Sequence, residues 1–173
     1  KRPKAWMEYG FPANITLQML YTMWQRNGVA FGAVAKIVGN CWKTPPTVIE
    51  GGDEDDDRKE TAFDKEVSLL FKKLRIWSVF KEADTRRLAC QYSVLVLRFA
   101  DNLPPSQPVG KERKQLVQVM PVWAVNIKPK AYDTDRKSPT YSQPVMWQYT
   151  EILDNGSEQQ VDIHPDRLFI IGD

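Results

Sequence analysis

"RRLACQYSVLVLRFAD", residues 86–101, decides the fold, because the period of the apolar residues changes inside it. Before the change the stretch belongs to a helix that Ser78 caps and that reaches about Tyr92, with Val79, Ala83 and Cys90 inward. From Ser93 onward apolar and β-branched residues run without alternation. "SVLVLRFA" therefore reads as a strand buried on both faces.

Toward the N-terminus the helical period continues. Phe63, Val67, Leu70, Phe71 and Leu74 form one stripe of a helix over about 60–74. Val34, Ile37, Val38 and Cys41 form another. Leu17, Leu20, Tyr21 and Trp24 recur at i, i+3, i+4 and i+7, the stripe of an amphipathic helix. Asn14 is its expected N-cap, and Asn27 with Gly28 supplies a residue tolerant of positive φ just past its end. Between the second and third helices lies "GNCWKTPPTVIEG", residues 39–51. Cys41 falls on a core stripe there. Pro45 and Pro46 cannot continue a helix, since proline lacks the N–H and clashes with the preceding turn. "TVIEG" then reads as a short strand, and "GGDEDDDRK" as an acidic loop.

Toward the C-terminus, "DNLPPSQPVGKERKQ" is a proline-bearing loop with a charged tip, and "LVQVMPVWAV" is a second long strand. "PKAYDTDRKSPTYSQP" reads as loop. "VMWQYTEIL", "DNGS" and "QQVDIHPDRLFIIG" then read as strand, turn and strand, because Asp-Asn-Gly between β-rich runs is a hairpin signal. No internal repeat occurs. The expected class is α+β: one domain over 1–173, helical over about 14–92 and strand-rich, mostly antiparallel, over about 93–173.

The 173 residues suffice for a hydrophobic core, and 42% hydrophobic with 27% charged residues is ordinary for a globular chain. No apolar run approaches the roughly 18 residues that span a membrane. The start, "KRPKAWMEYG", lacks the apolar segment of a secretory signal and begins at lysine, so the chain reads as part of something longer. Twenty-four basic residues against 22 acidic ones, net +2, give no global argument for nucleic-acid binding. Cys41 and Cys90 form neither a C-x-x-C pair nor a zinc spacing. Both are expected as buried free thiols.

Catalytic patterns are missing. His164 is the single histidine, so any chemistry needing two histidines is excluded, and it reads as structural. The run Asp53, Glu54, Asp55, Asp56, Asp57 invites a calcium reading. An EF-hand starting at Asp53 would need glycine where Arg58 stands and glutamate where Asp64 stands. Asp133 and Asp135 could serve acid/base or metal chemistry, but aspartates build turns without any ligand. The glycines of "GVAFGAVAKIVG" have the wrong spacing for a phosphate loop, so no cofactor is expected. Lys72, Lys73, Arg86 and Arg87 read as solvated helix faces, and "GKERK" carries Glu112 among its cations. Six tryptophans and six tyrosines point to core and interface roles, which suit an assembly component better than an enzyme.

The order of segments resembles the portal proteins of tailed bacteriophages. "LQMLYTMWQRNGVAFGAVAKIVGNCWKTPPTVIEG" resembles that family's tyrosine-bearing helix, its glycine turn, and a second helix leaving through tryptophan to a proline-bearing strand. "FDKEVSLLFKKLRIWSVFKEADTRRLACQYSVLVLRFAD" and "QPVGKERKQLVQVMPV" are similar to its next helices, buried strand, loop and strand. "YDTDRKSPTYSQPVMWQY" resembles D-x-x-S-P-x-Y-G-x-P, and "IHPDRLFIIGD" resembles H-x-S-R-V-I. Ser142 stands at the glycine position, which predicts an altered turn, and Asp166 stands at the serine position.

The resemblance implies a non-enzymatic structural subunit of a ring, a dodecamer at one capsid vertex of the virion, made in the cytoplasm of the bacterial host. Double-stranded DNA would pass through the ring. The major capsid protein, terminase and tail adaptor proteins would be its partners, with no membrane. These residues would form the outer wing, without stem or clip. Such a chain alone is expected to be mostly monomeric and to bind duplex DNA no better than nonspecifically, roughly 10⁻⁴ to 10⁻⁶ M or weaker. Two other readings remain open from the residues themselves: a protein-binding adaptor or scaffold, and a hydrolase using Asp133 and Asp135.

Overall fold

Strand β1 (Tyr92–Phe99) is the hub of the architecture. The computed structural model describes residues 8–10, 12–51, 60–110 and 115–172. The acidic run at 53–57 and the basic tip at 111–114 lie outside the described residues. β1 pairs antiparallel with β2 (Leu116–Trp123) on one side, Val96 opposite Met120, and with β6 (Leu168–Gly172) on the other, Val94 opposite Ile170. A second antiparallel sheet has the order β3 (Ile127–Tyr132), β4 (Pro144–Ile152), β5 (Glu158–Ile163). The chain crosses between sheets through two short 3-10 turns, Ala124–Asn126 and Pro165–Arg167. Helices α1 (Leu17–Arg26), α2 (Gly28–Cys41), α3 (Ala62–Leu74) and α4 (Ile76–Cys90) precede the strands. The class is α+β, with a helical first half and antiparallel second half, as the change of period at Ser93 indicates.

Strand alternation explains why β1 reads as apolar throughout. Tyr92, Val94 and Val96 point to the second sheet, where they meet Ile127, Trp147, Tyr149 and Ile163. Leu95 and Leu97 point the other way, onto Ile76, Ala83, Phe71 and Leu74 of the helices. The first sheet is thus the middle layer, with α3 and α4 on one face and the second sheet on the other. Ser93 is fully buried on the helix side and donates to the Ala83 carbonyl at 2.8 Å, so its hydroxyl is satisfied. The stripe Leu17, Leu20, Tyr21 and Trp24 of α1 packs on Ala89, Cys90 and Ala124.

Several local expectations are corrected. Thr16, not Asn14, caps α1, its hydroxyl accepting the Met19 N–H at 3.2 Å. Asn27 has φ −105° and caps α2, accepting from Val29 and Ala30, so only this residue separates the first two helices. Ser78 lies inside α4, which starts at Ile76. The corner from α3 is the single residue Arg75, in the left-handed region at φ 52°. Residues 47–51 form no strand among the described residues. β-branched residues favour extended backbone, but a strand needs a neighbour for its hydrogen bonds. Here the Glu50 N–H donates to Asp64 Oδ1 at 2.8 Å, within the capping box that Thr61 and Asp64 build at the start of α3. Conversely, part of the expected loop 129–144 is strand β3. Its period was obscured by register shifts at Pro129/Ala131 and Ala131/Tyr132.

Cys41 is also corrected: it is exposed, and only Cys90 is buried. Both are free thiols. The stripe through Cys41 is real, but α2 buries only Val38, and Ile37 and Cys41 turn outward.

Candidate functional site

Asp133 and Asp135 are engaged in turn formation. Asp133 Oδ1 accepts the Asp135 N–H at 2.9 Å and Oδ2 accepts the Thr140 hydroxyl at 2.7 Å. Asp135 Oδ1 accepts the Lys137 N–H at 2.9 Å. The Ser138 and Thr140 hydroxyls and the Asp135 N–H hold the Asp133 carboxyl below its ordinary range. A general base near neutral pH needs the opposite shift. The same turn answers the question posed by Ser142. It adopts φ 66°, and its N–H donates to the Asp133 carbonyl at 2.9 Å. The left-handed turn that glycine would favour is therefore kept, with a serine in it.

His164 caps the second crossover. Its Nδ1 accepts the Asp166 N–H at 3.2 Å, and its backbone N–H donates to the Pro105 carbonyl at 2.9 Å. Beside it lies a group that the sequence did not single out. Arg167 is only 3% exposed, and its guanidinium forks onto the Asp101 carboxylate. It also donates to the carbonyls of Gln107 (2.7 Å) and Pro108 (3.3 Å). The Arg167 hydrogen bonds hold the Asp101 carboxyl below its ordinary range. This pair fastens the 101–108 loop to the start of β6. The available signal was the arginine of "IHPDRLFIIG" between apolar neighbours, because a buried arginine needs a carboxylate and several acceptors. Which carboxylate would arrive from 66 positions away was not written there.

The tryptophans knit elements together. Trp24 and Trp123 lie 4.7 Å apart between ring centroids, Tyr21 meets Trp123 edge-on, and the Arg86 guanidinium lies 5.3 Å from the Trp123 ring centroid. Trp42, leaving α2, packs near Trp77 and Phe80, and its Nε1 donates to Asp84 Oδ2 at 3.1 Å. Arg86 and Arg87 are consequently not solvated faces. Arg86 donates to the Pro121 carbonyl and pairs with Glu82, and Arg87 pairs with Asp84. Lys72 and Lys73 are exposed, as expected.

Among the described residues no three His, Cys, Asp or Glu side chains converge as a metal site. No described helix is long and apolar enough to cross a membrane. What the surface does present is apolar side chains: Met19, Met23, Val29 and Ile37 on the first two helices, Leu69 on α3, Ile152 on β4, and Phe169 and Ile170 on β6. Such exposure, with Asp133, Asp135, His164 and Arg167 engaged within the chain, suits contact with other protein surfaces.

A family model described as phage portal protein matches residues 18–173. No curated protein matches the chain. The match runs from the second residue of α1 through both sheets, and on that extent the chain belongs to the phage portal proteins, a family of structural phage proteins.

Proposed function

We propose that this chain is the structural subunit of a portal ring at one vertex of the phage head, the channel through which double-stranded DNA is packaged and ejected and to which the tail attaches. In this reading its residues form the wing part of a subunit that assembles as a dodecamer. They meet the major capsid protein, terminase and tail adaptor proteins. The observation that carries the reading is the family match over 18–173. The geometry supports it. Asp133, Asp135 and His164 are occupied in turns, and the exposed apolar side chains suit assembly.

The test is electron microscopy and sedimentation of the natural gene product, with gold labelling of phage heads. Rings with a central channel and label at a single vertex are expected. A product that never self-associates and binds one other protein would make it an adaptor instead. A turnover lost on Asp133→Asn would make it a hydrolase.

A further inference from the structure

The α3–α4 corner carries a groove of about 470 Å³, lined also by residues 46–48. Its apolar wall is Val48, Val67, Phe71 and Trp77, the two rings meeting edge-on at 5.1 Å. Among the described residues Lys72 and Arg75 are its only charged lining residues, and neither is in an ion pair there. Arg75 cannot wander far at its backbone, being the one residue between two helices. Among the described residues the groove thus offers an apolar wall beside two positive charges and no negative one.

The complementary chemistry occurs elsewhere on the same chain. The β4–β5 hairpin ends in "ILDNGSE", residues 152–158. Ile152 is 69% exposed, and Leu153 is exposed too. Asp154 and Glu158 are exposed carboxylates without ion pairs among the described residues, and the tip carries no cation. The tip is held in shape. Gly156 at φ 78° turns the chain, its N–H and that of Leu153 close the loop, and Asn155 Oδ1 accepts from Ser157.

We propose that the β4–β5 hairpin tip of one copy seats in the α3–α4 groove of the next. Ile152 and Leu153 lie against the apolar wall, and Asp154 and Glu158 lie beside Lys72 and Arg75. The groove belongs to the helix layer and the tip to the second sheet, with the first sheet between them. A contact between two different surfaces of identical chains is head-to-tail, and it closes into a ring when its rotation does. The proposal rests on the ring reading above and supplies one of its subunit contacts.

The natural gene product tests it, with Cys41→Ser as background. Ser68 lines the groove, so Ser68→Cys together with Asp154→Cys should give, on mild oxidation, a ladder of disulfide-linked multimers. Lys72→Glu with Arg75→Glu should lower the assembled fraction about tenfold, as should Asp154→Lys with Glu158→Lys, and all four together should restore it. Circular dichroism checks that each variant is folded. The cysteine pair keeps Lys72, Arg75 and Glu158, so it decides the matter even if the reversals unfold the chain. Rings that form normally yet give no ladder overturn this contact and leave the ring reading standing. An unaltered product that forms no ring overturns both.

Discussion

Helices α2 and α4 are nearly the same length, 14 and 15 residues, and they invert the usual relation between hydropathy and burial. α2 carries one charged residue, Lys36, yet buries only Val38. α4 carries five, Lys81, Glu82, Asp84, Arg86 and Arg87, yet buries Ile76, Ala83, Ala89 and Cys90. α4 lies across the first sheet, so Ile76 and Ala83 are covered by Leu95 and Val119, and Ala89 and Cys90 by Ala124 and α1. Four of these charges, all but Lys81, are used at the flanks, on the Pro121 carbonyl, on one another and on the Trp42 ring N–H. α2 packs beside α1 and α4 and touches no strand layer in quantity. Its outer stripe, with Val29 83% and Ile37 52% exposed, is left open. Hydropathy states which side chains gain from cover; topology decides whether the chain provides it.

The largest test of that contrast is a pair of truncations. Leu95 is 2% exposed, in the middle layer. Leu95→Ala should cost about 2–5 kcal/mol in urea unfolding, from lost transfer energy plus a cavity that cannot collapse between two covers. Ile37→Ala should change the chain's stability by no more than about 0.5 kcal/mol. Equal losses would mean that α2 is covered in solution and that the contrast is false. Gly172→Ala sharpens the covered side. A Cβ there would sit 2.6 Å from Tyr92 Cβ and 3.2 Å from its Cα, across the β1–β6 pairing. The backbone must shift, at about 1–3 kcal/mol by the scale of overpacked sites. A neutral Gly172→Ala would show that β6 is loosely held.

Legibility in the sequence followed the same division. The covered side was readable because its pattern is local. The uninterrupted run from Val94 to Leu97 and the stripe of α1 each named their buried residues, and the structure buries or half-buries them. Apart from the caps expected at Asn14 and Ser78, what failed depended on partners distant in the chain. "TVIEG" has strand composition and no strand beside it, whereas residues 127–132 have two register shifts and a proline and still pair with β4. The Arg167–Asp101 pair could not be read, because burial of an arginine is set by the loop that folds over it. Cys41 failed for the reason α2 as a whole did. A periodic stripe was present, and cover was not.

A smaller effect is expected where strain is local and cover plays no part. Ser142 holds φ 66° in the exposed turn after Asp133, a conformation that costs an L-residue roughly 1–2 kcal/mol. Glycine there would relieve the strain but leave a more flexible unfolded chain to order, which offsets part of the gain. Ser142→Gly should therefore stabilise by about 0.5–1 kcal/mol, read as a higher urea midpoint with an unchanged slope. A loss of stability would mean that the serine side chain contributes more to the turn than its backbone strain removes.

The last test changes no stability and reads the contrast directly. Each of the two helices ends in a cysteine: Cys41 on α2, exposed, and Cys90 on α4, buried. A thiol reacts as its thiolate and must be reached by the reagent. Cys90 fails on both counts, since it is enclosed with Ala89 and Ala124 under α1, and burial pushes its thiol pKa up. Titration of the folded chain with a thiol reagent at pH 8 should show one fast equivalent, abolished by Cys41→Ser. A second equivalent should appear only at the rate of unfolding or on adding denaturant. Two fast equivalents would show that α1 lifts readily from the end of α4. Protection of both would show that something covers α2 in solution, and the inversion between the two helices would then belong to the isolated chain alone.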